Sequence, residues 1–172
     1  NPTRTGLLEV LDEMGASTDV GSIRKQAGEK VADLTARTSH LHGTQVSGDK
    51  VVRMIDEFPL LAVAATQAEG VTEVRDAAEL RVKETDRIAV IASELRKMGG
   101  DIAPRPDGFV IAGPTPLQGA VVDSHGDHRI AMALVVAGLI ASGETIIRDT
   151  ACIRDSYPGF VATMQGLGAH ID

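Results

Sequence analysis

The sequence has no tryptophan, one tyrosine and three phenylalanines among 172 residues, so it has little with which to stack nucleobases. It has no excess of positive charge either. Its 17 Lys and Arg stand against 24 Asp and Glu, a formal net charge of −7, which argues against general nucleic-acid binding and leaves any anionic ligand to local clusters. Cys152 is the single cysteine, which excludes an intrachain disulfide and gives no sign of an oxidising compartment. No apolar run reaches the ~20 residues of a membrane-spanning helix; the longest, Ile130 to Ala141, reads as a buried helix. What is present, 43% hydrophobic and 24% charged residues, suits a globular chain able to bury a core, and disorder is a poor description of it. The chain opens on Asn1-Pro2 with neither an initiator Met nor a signal peptide, as expected of a segment of something longer.

Leu7, Leu8, Leu11 and Met14 form one helical stripe that stops at Gly15, predicting a helix over residues 1–15. Ala32, Leu34 and Ala36 alternate with polar residues as in a half-buried strand. Residues 59–69 are nearly all apolar up to Gly70, and "VTEVRD" beyond them reads as a strand. Ile88, Ile91, Ala92, Leu95 and Met98 then set a helix that Gly99-Gly100 terminates. The order repeats. "DGFVIAG" has a Pro-Asp-Gly turn before an apolar strand, as in a hairpin, and "HRIAMALVVAGLIASG" matches "EFPLLAVAATQAEG" as a buried helix ending in Gly. A shift of 73 places lays Gly70 on Gly143, "EVRD" on "IIRD" and Arg81 on Arg154; "EMGA", "KMGG" and "GLGA" recur at Gly15, Gly99 and Gly168. These offsets predict an α/β (α+β) chain built on a repeated unit of roughly 70 to 85 residues. Two copies fall at approximately 1–87 and 88–172, with a last helix near Pro158 to Leu167.

Within "ELRVKETDRI", residues 79–88, five charged side chains precede an apolar helix. A strand is expected to deliver Arg81 to Glu84 to a turn, with Thr85 or Asp86 capping the helix that follows. Lys83 and Arg87 are four apart, and if the turn is already helical they share a face beside the amide donors of the helix start, an arrangement suited to an anion. The same charges also suit a solvated turn of surface ion pairs. Asp56, in "RMIDEFP", precedes an almost wholly apolar helix whose N-terminal dipole favours a carboxylate, and capping alone accounts for it. The 73-place shift, however, lays Asp56 on Arg129 at the start of the other buried helix. If the repeats pack side by side, both helix starts and the Lys83–Arg87 turn face a common cleft. In "DSHGDHRIAM", Asp123, His125, Asp127 and His128 invite a metal reading, as do His40 and His42 in "SHLHG", but neither has a recognised ligand spacing. Capping and turn roles, or an anion site built on Arg129, are the other readings, since Arg binds phosphate and carboxylate without a metal. Cys152 lacks electropositive partners and reads as a small buried residue rather than a nucleophile.

Four segments, "NPTRTGLLEVLDEMGA", "MIDEFPLLAVAA", "LRVKETDRIAVIASELRKMGGD" and "GDHRIAMALVVAGL", closely resemble the C-terminal part of the 5-enolpyruvylshikimate-3-phosphate (EPSP) synthase family of enolpyruvyl transferases. The similarity runs over essentially the whole chain, and the pair "RVKETDR" and "DHRIAM" is highly specific. The related transferases that act on UDP-N-acetylglucosamine share the fold but not the first of these motifs. The resemblance implies a cytoplasmic two-domain enzyme without metal or organic cofactor. Each domain consists of repeated βαβαββ units in an inside-out α/β barrel, the active site lies in the cleft between domains, and this chain is an incomplete part of one domain. The implied reaction moves the enolpyruvyl group of phosphoenolpyruvate to the 5-hydroxyl of shikimate 3-phosphate and releases phosphate, a step of the shikimate pathway toward aromatic amino acids. Under the resemblance, Asp56 is the base at that hydroxyl and Lys83 a further shikimate 3-phosphate contact. Glu84 is the acid that protonates the phosphoenolpyruvate methylene, Arg87 and Arg129 clamp phosphoenolpyruvate, and Asp127 and His128 orient Arg129. A Lys that helps hold phosphoenolpyruvate in some members falls on Asp155 of "DSYP", and the adjacent Arg154 is the candidate replacement. The implied partners are the two small anionic substrates and the N-terminal half of the same enzyme, with no nucleic acid and no membrane. This chain alone is expected to be inactive, and its unpaired sheet edges to favour association.

Adding an alcohol across an enol ether bond places one proton on carbon while another leaves oxygen, so Asp56 and Glu84 need opposite protonation states. With Lys83 and two Arg nearby, Glu84 is expected to act as a proton donor mainly in the loaded, closed site. The competing class is a non-catalytic anion-binding module of the same repeat architecture, in which Asp56 and Glu84 would be unnecessary. A third reading is a transferase of the same fold acting on UDP-N-acetylglucosamine.

Overall fold

The N-terminal apolar stripe forms α1 (Gly6–Glu13) behind a 3₁₀ turn, Pro2–Arg4. The computed structural model describes residues 1–172, the side chain of Pro2 excepted. Val10 and Met14 carry the stripe into the core, and the helix stops where Gly15 takes a positive φ of 89°, a conformation that costs glycine nothing. Beyond it, β1 (Ser17–Val20) pairs antiparallel with β4 (Leu34–Arg37), and β2 (Arg24–Gln26) with β3 (Glu29–Val31). The alternation at residues 32–36 predicts a half-buried strand, but Leu34 is 57% exposed and every residue of β4 is open to solvent. The two ribbons pair only within themselves, and alternation specifies a buried face only where a second layer covers it.

The chain then builds two parallel crossovers. β5 (Gln45–Val46) lies parallel to β6 (Gly70–Val74), with α2 (Asp49–Arg53) and α3 (Phe58–Thr66) between them. A 3₁₀ turn, Ala78–Val82, leads to α4 (Arg87–Lys97) and the hairpin of β7 (Asp101–Arg105) with β8 (Gly108–Gly113), giving one sheet of order β5-β6-β8-β7. The second crossover joins β9 (Val121–Asp123) to parallel β10 (Ile146–Arg148) through α5 (His128–Ile140). A 3₁₀ turn at Thr150–Cys152, α6 (Ile153–Ser156) and α7 (Phe160–Gly166) end the chain. β6 thus delivers the chain to a turn at Arg81 to Glu84, where the 3₁₀ turn ends at Val82 and its C-cap, Lys83, is extended.

Both crossovers contain the same close approach. The amide of Gly43 donates to the Glu69 carbonyl and that of Gly119 to the Ser142 carbonyl, each at 2.8 Å. A Cβ on Gly43 would lie 2.2 Å from the Val71 oxygen, and one on Gly119 2.2 Å from the Glu144 oxygen. Only a residue without a side chain lets these backbones meet.

α3 and α5 are apolar nearly all round, which a helix tolerates only when it is enclosed. Phe58, Leu61, Ala62 and Ala65 on one, and Ile130, Ala133, Leu134 and Ala137 on the other, are all buried. The two helices pack against each other, and α4 adds Ile88, Ile91 and Leu95 to the same core. At roughly 1.5–3 kcal/mol for each large side chain removed from water, this three-helix contact is a substantial part of what holds the fold. It also brings the starts of all three helices, with their charged residues, to one place. Among the described residues, no helix is long and apolar enough to cross a membrane.

Candidate functional site

Arg87 opens α4 and is 1% exposed, a burial that a guanidinium tolerates only when its N–H groups are matched. Its Nε donates to Asp127 Oδ2 at 2.8 Å and its Nη2 to Asp127 Oδ1 at 3.3 Å. Nη1 reaches Asp56 Oδ1 at 3.2 Å, and Nη2 also reaches Glu84 Oε2 at 2.6 Å. Asp127, itself fully buried, is the N-cap of α5: its Oδ1 accepts the backbone amides of Arg129 at 2.9 Å and Ile130 at 3.3 Å. One carboxylate thus caps a helix and anchors an arginine, and the Thr85 hydroxyl adds a fifth donor to it at 3.2 Å. The Asp127 carboxylate holds Arg129 only by its backbone amide, while its ion pair is with Arg87.

Asp56 is not a helix cap. The N-cap of α3 is Glu57, with no side-chain capping bond. The Asp56 carboxylate instead turns outward to three arginines: Arg4 Nη2 at 2.8 Å, Arg87 Nη1 at 3.2 Å and Arg129 Nη2 at 3.4 Å. Arg129 also donates through Nη1 to the Asp56 carbonyl at 3.3 Å, and the same nitrogen lies 3.5 Å from Glu57 Oε1. The two helix starts that the 73-place shift equates, one acidic and one basic, are in direct contact. Asp56, Glu84, Arg87, Asp127 and Arg129 therefore form one network, with the half-exposed Glu84 at its solvent edge. Sequence reasoning missed Arg4 and Glu57. Arg4 lies in a segment distinguished only by family resemblance, and its ion-pair partners are 52 and 53 positions away.

Other candidates stand apart. Lys83 pairs with Glu79 on the preceding 3₁₀ turn; with α4 starting only at Arg87, Lys83 and Arg87 do not share a helical face. Asp86 is the cap of α4, accepting the Ala89 amide at 3.0 Å, and Arg81 joins it at 2.6 Å while also holding the Pro106 carbonyl. The His128 imidazole makes no hydrogen bond or ion pair among the described residues, and neither does the exposed Arg154 side chain on α6; Asp155 beside it is exposed as well. His40 and His42 are exposed, with His42 Nδ1 3.9 Å from Glu69. Beside the β9–α5 turn, buried Glu94 of α4 accepts the Asp123 amide at 2.9 Å and pairs with Lys97 at 2.7 Å, and His125 of the turn lies 3.6 Å away. Among the described residues, no group of three or more His, Cys, Asp or Glu is arranged to hold a metal. Cys152 is half-buried rather than buried, and its thiol donates to the Asp149 carbonyl at 3.4 Å.

Burial pushes the Asp56 carboxyl up, but the charge of Arg129 and the bonds from Arg4 and Arg87 outweigh it and hold Asp56 below the usual carboxylate range. Burial likewise opposes ionisation of Asp127, and Arg87 together with the α5 amides brings it below that range too. Arg87 is drawn down by burial and raised further by Asp127, Glu84 and Asp56, with a net upward shift. A carboxylate depressed in the folded state contributes stability above its unfolded value, about 3.9 for Asp, and loses it as pH falls through the folded value. Urea unfolding should therefore show stability declining below about pH 4, and Asp127→Asn should lower stability at pH 7 while flattening that decline. An unchanged acid slope in the variant would exclude Asp127 as a source.

A family model described as EPSP synthase (3-phosphoshikimate 1-carboxyvinyltransferase) matches residues 1–164. The 3-phosphoshikimate 1-carboxyvinyltransferases of Synechococcus sp. (strain JA-3-3Ab) and Desulforudis audaxviator (strain MP104C) are 56% and 54% identical to the chain over 97% of it, but over 38% and 39% of their own lengths. Among solved structures, EPSP synthase from Acinetobacter baumannii aligns with a TM-score of 0.93 at 44% identity, covering 96% of this chain and 39% of that one. The enolpyruvyl transferase NikO from Streptomyces tendae aligns with a TM-score of 0.78 at 26% identity, covering 98% of this chain and 36% of that one. The chain spans about two fifths of the length of the relatives it matches.

Proposed function

Because the chain belongs to the EPSP synthase (3-phosphoshikimate 1-carboxyvinyltransferase) family, we propose that it supplies one face of an enolpyruvyl transferase active site. In the complete enzyme, working in the cytoplasm, this face and an N-terminal part enclose phosphoenolpyruvate and shikimate 3-phosphate, and the 5-hydroxyl of the latter displaces phosphate overall. The chain contributes two repeat units, approximately residues 1–87 and 88–172. Asp56 takes the proton from the 5-hydroxyl as that hydroxyl oxygen bonds to the enol carbon, and Glu84 delivers one to the methylene carbon; loss of phosphate with return of a methyl proton to Glu84 then restores the double bond. Arg87 and Arg129 face the phosphoenolpyruvate anion, and Lys83 and Arg154 serve at the margin. The protein supplies the acid, the base and the cations, and the scheme calls for no metal or organic cofactor.

The observation that carries this reading is that Asp56 and Glu84 sit on opposite amino groups of the Arg87 guanidinium, at 3.2 and 2.6 Å. Two carboxyl groups facing each other across one cation are placed for the paired proton transfers that addition to an enol ether requires. Glu84 accepts from Arg87 Nη2 at 2.6 Å, the same nitrogen that an incoming substrate anion would compete for.

Calorimetry tests the reading. Phosphoenolpyruvate and shikimate 3-phosphate are titrated into the chain alone and into the chain joined to the N-terminal part of a 56%-identical relative. Ordered binding of both and turnover in the joined enzyme, with little binding to the chain alone, is the expected result. Tight binding of UDP-N-acetylglucosamine in place of shikimate 3-phosphate would overturn the substrate assignment.

A further inference from the structure

Arg4 lies outside both motifs that mark the site, yet it makes the shortest contact to Asp56. Its Nη2 donates to Asp56 Oδ2 at 2.8 Å and to Glu57 Oε1 at 2.9 Å, whereas Arg87 and Arg129 stand at 3.2 and 3.4 Å from the same carboxylate. Its backbone is fixed locally, because the Asn1 side chain accepts the Thr3 amide at 3.0 Å and caps the 3₁₀ turn that ends at Arg4. Two of the three cations on Asp56 are, on the reading above, also needed by an incoming anion. An N–H group directed at a substrate no longer holds the base.

We propose that Arg4 is a positioning residue for the reaction: it keeps the Asp56 carboxylate oriented and charged while Arg87 and Arg129 engage the substrate anion, with Glu57 as its second anchor. The inference rests on Asp56 being the base. The groups facing Asp56 are Arg4, Glu57 beside it, Arg87 from α4 and Arg129 from α5, with Glu84 and Asp127 as the other anions on Arg87. Four carboxylates share three guanidiniums, so removing Arg4 takes away a third of the compensating charge at the point where the substrate anion competes for the rest. The Asp56 carboxyl is held below the usual carboxylate range, and Arg4 contributes both a hydrogen bond and its charge to that shift, which is consistent with the role.

The test uses the joined enzyme. Arg4→Met keeps an aliphatic stem on a side chain that is 43% exposed, so the core is not opened, and Arg4→Lys keeps the charge. In Arg4→Met, the acid limb of the kcat against pH profile is expected to move to higher pH. kcat should fall about tenfold at the acid end and recover toward the native value at the alkaline end, and Arg4→Lys should restore most of the limb. A loss of kcat that is equal at every pH marks a purely structural role and overturns the inference, as does an unmoved profile. Asp56→Asn run in parallel separates the two readings. If it is inactive while Arg4→Met leaves the limb in place, only the role of Arg4 fails; if it retains native kcat, the base assignment fails and the inference with it.

Discussion

Arg87→Ala is expected to destabilise the fold by about 3–5 kcal/mol, as removal of one partner of a buried ion pair does. The guanidinium is 1% exposed and the Asp127 carboxylate 0%, so truncation leaves a charged oxygen facing a cavity that its α5 amides satisfy only on one side. Arg87→Lys should recover little. A single ammonium cannot reproduce bonds to Asp127, Asp56 and Glu84 from three different nitrogens of a planar fork. Replacing both partners, as in Arg87→Met with Asp127→Asn, removes the stranded charge and should regain part of the loss. Urea unfolding of the chain at pH 7 reads all three, and a loss below about 1 kcal/mol in Arg87→Ala would mean that the pair is solvated like a surface one. In the joined enzyme the same substitution should lower the rate by roughly 10² or more, in line with loss of a preorganised charge stabiliser. A near-normal rate there would remove Arg87 from the site.

Asp56→Asn should show the opposite division between stability and activity. The side chain is 20% exposed and its partners Arg4 and Arg129 are only partly enclosed, so stability should change by less than in Arg87→Ala. Asn keeps an acceptor for Arg4 but cannot take a proton, and kcat in the joined enzyme is expected to fall by about 10² to 10⁴. Glu84→Gln, half-exposed at the edge of the network, should fall similarly and with little effect on folding. A kcat within about tenfold of native for Asp56→Asn would be too small a change for loss of a general base.

Much of the local structure is legible in the chain. α3 and α5 are apolar on nearly every side, which calls for burial, and the stripe from Ile88 to Met98 orients α4 before any contact is known. The repeat offset even anticipates the meeting of Asp56 and Arg129. Less legible is whatever depends on where a turn begins. Four-residue spacing suggests Lys83 and Arg87 as neighbours on a helix, but Asp86 caps the helix one residue before Arg87 and leaves Lys83 to Glu79. Asp56 reads as a cap because its position is right; three arginines from distant elements draw the carboxylate away instead.

Periodicity and apolar content, being properties of neighbouring residues, were enough to determine which segments become buried helices and which charged turns precede them. The pairing of charges belongs to the tertiary structure alone. Whether a guanidinium meets one carboxylate or three depends on which helix starts converge and how much water they exclude, and that is decided by packing of α3, α4 and α5 across separations of up to 73 residues.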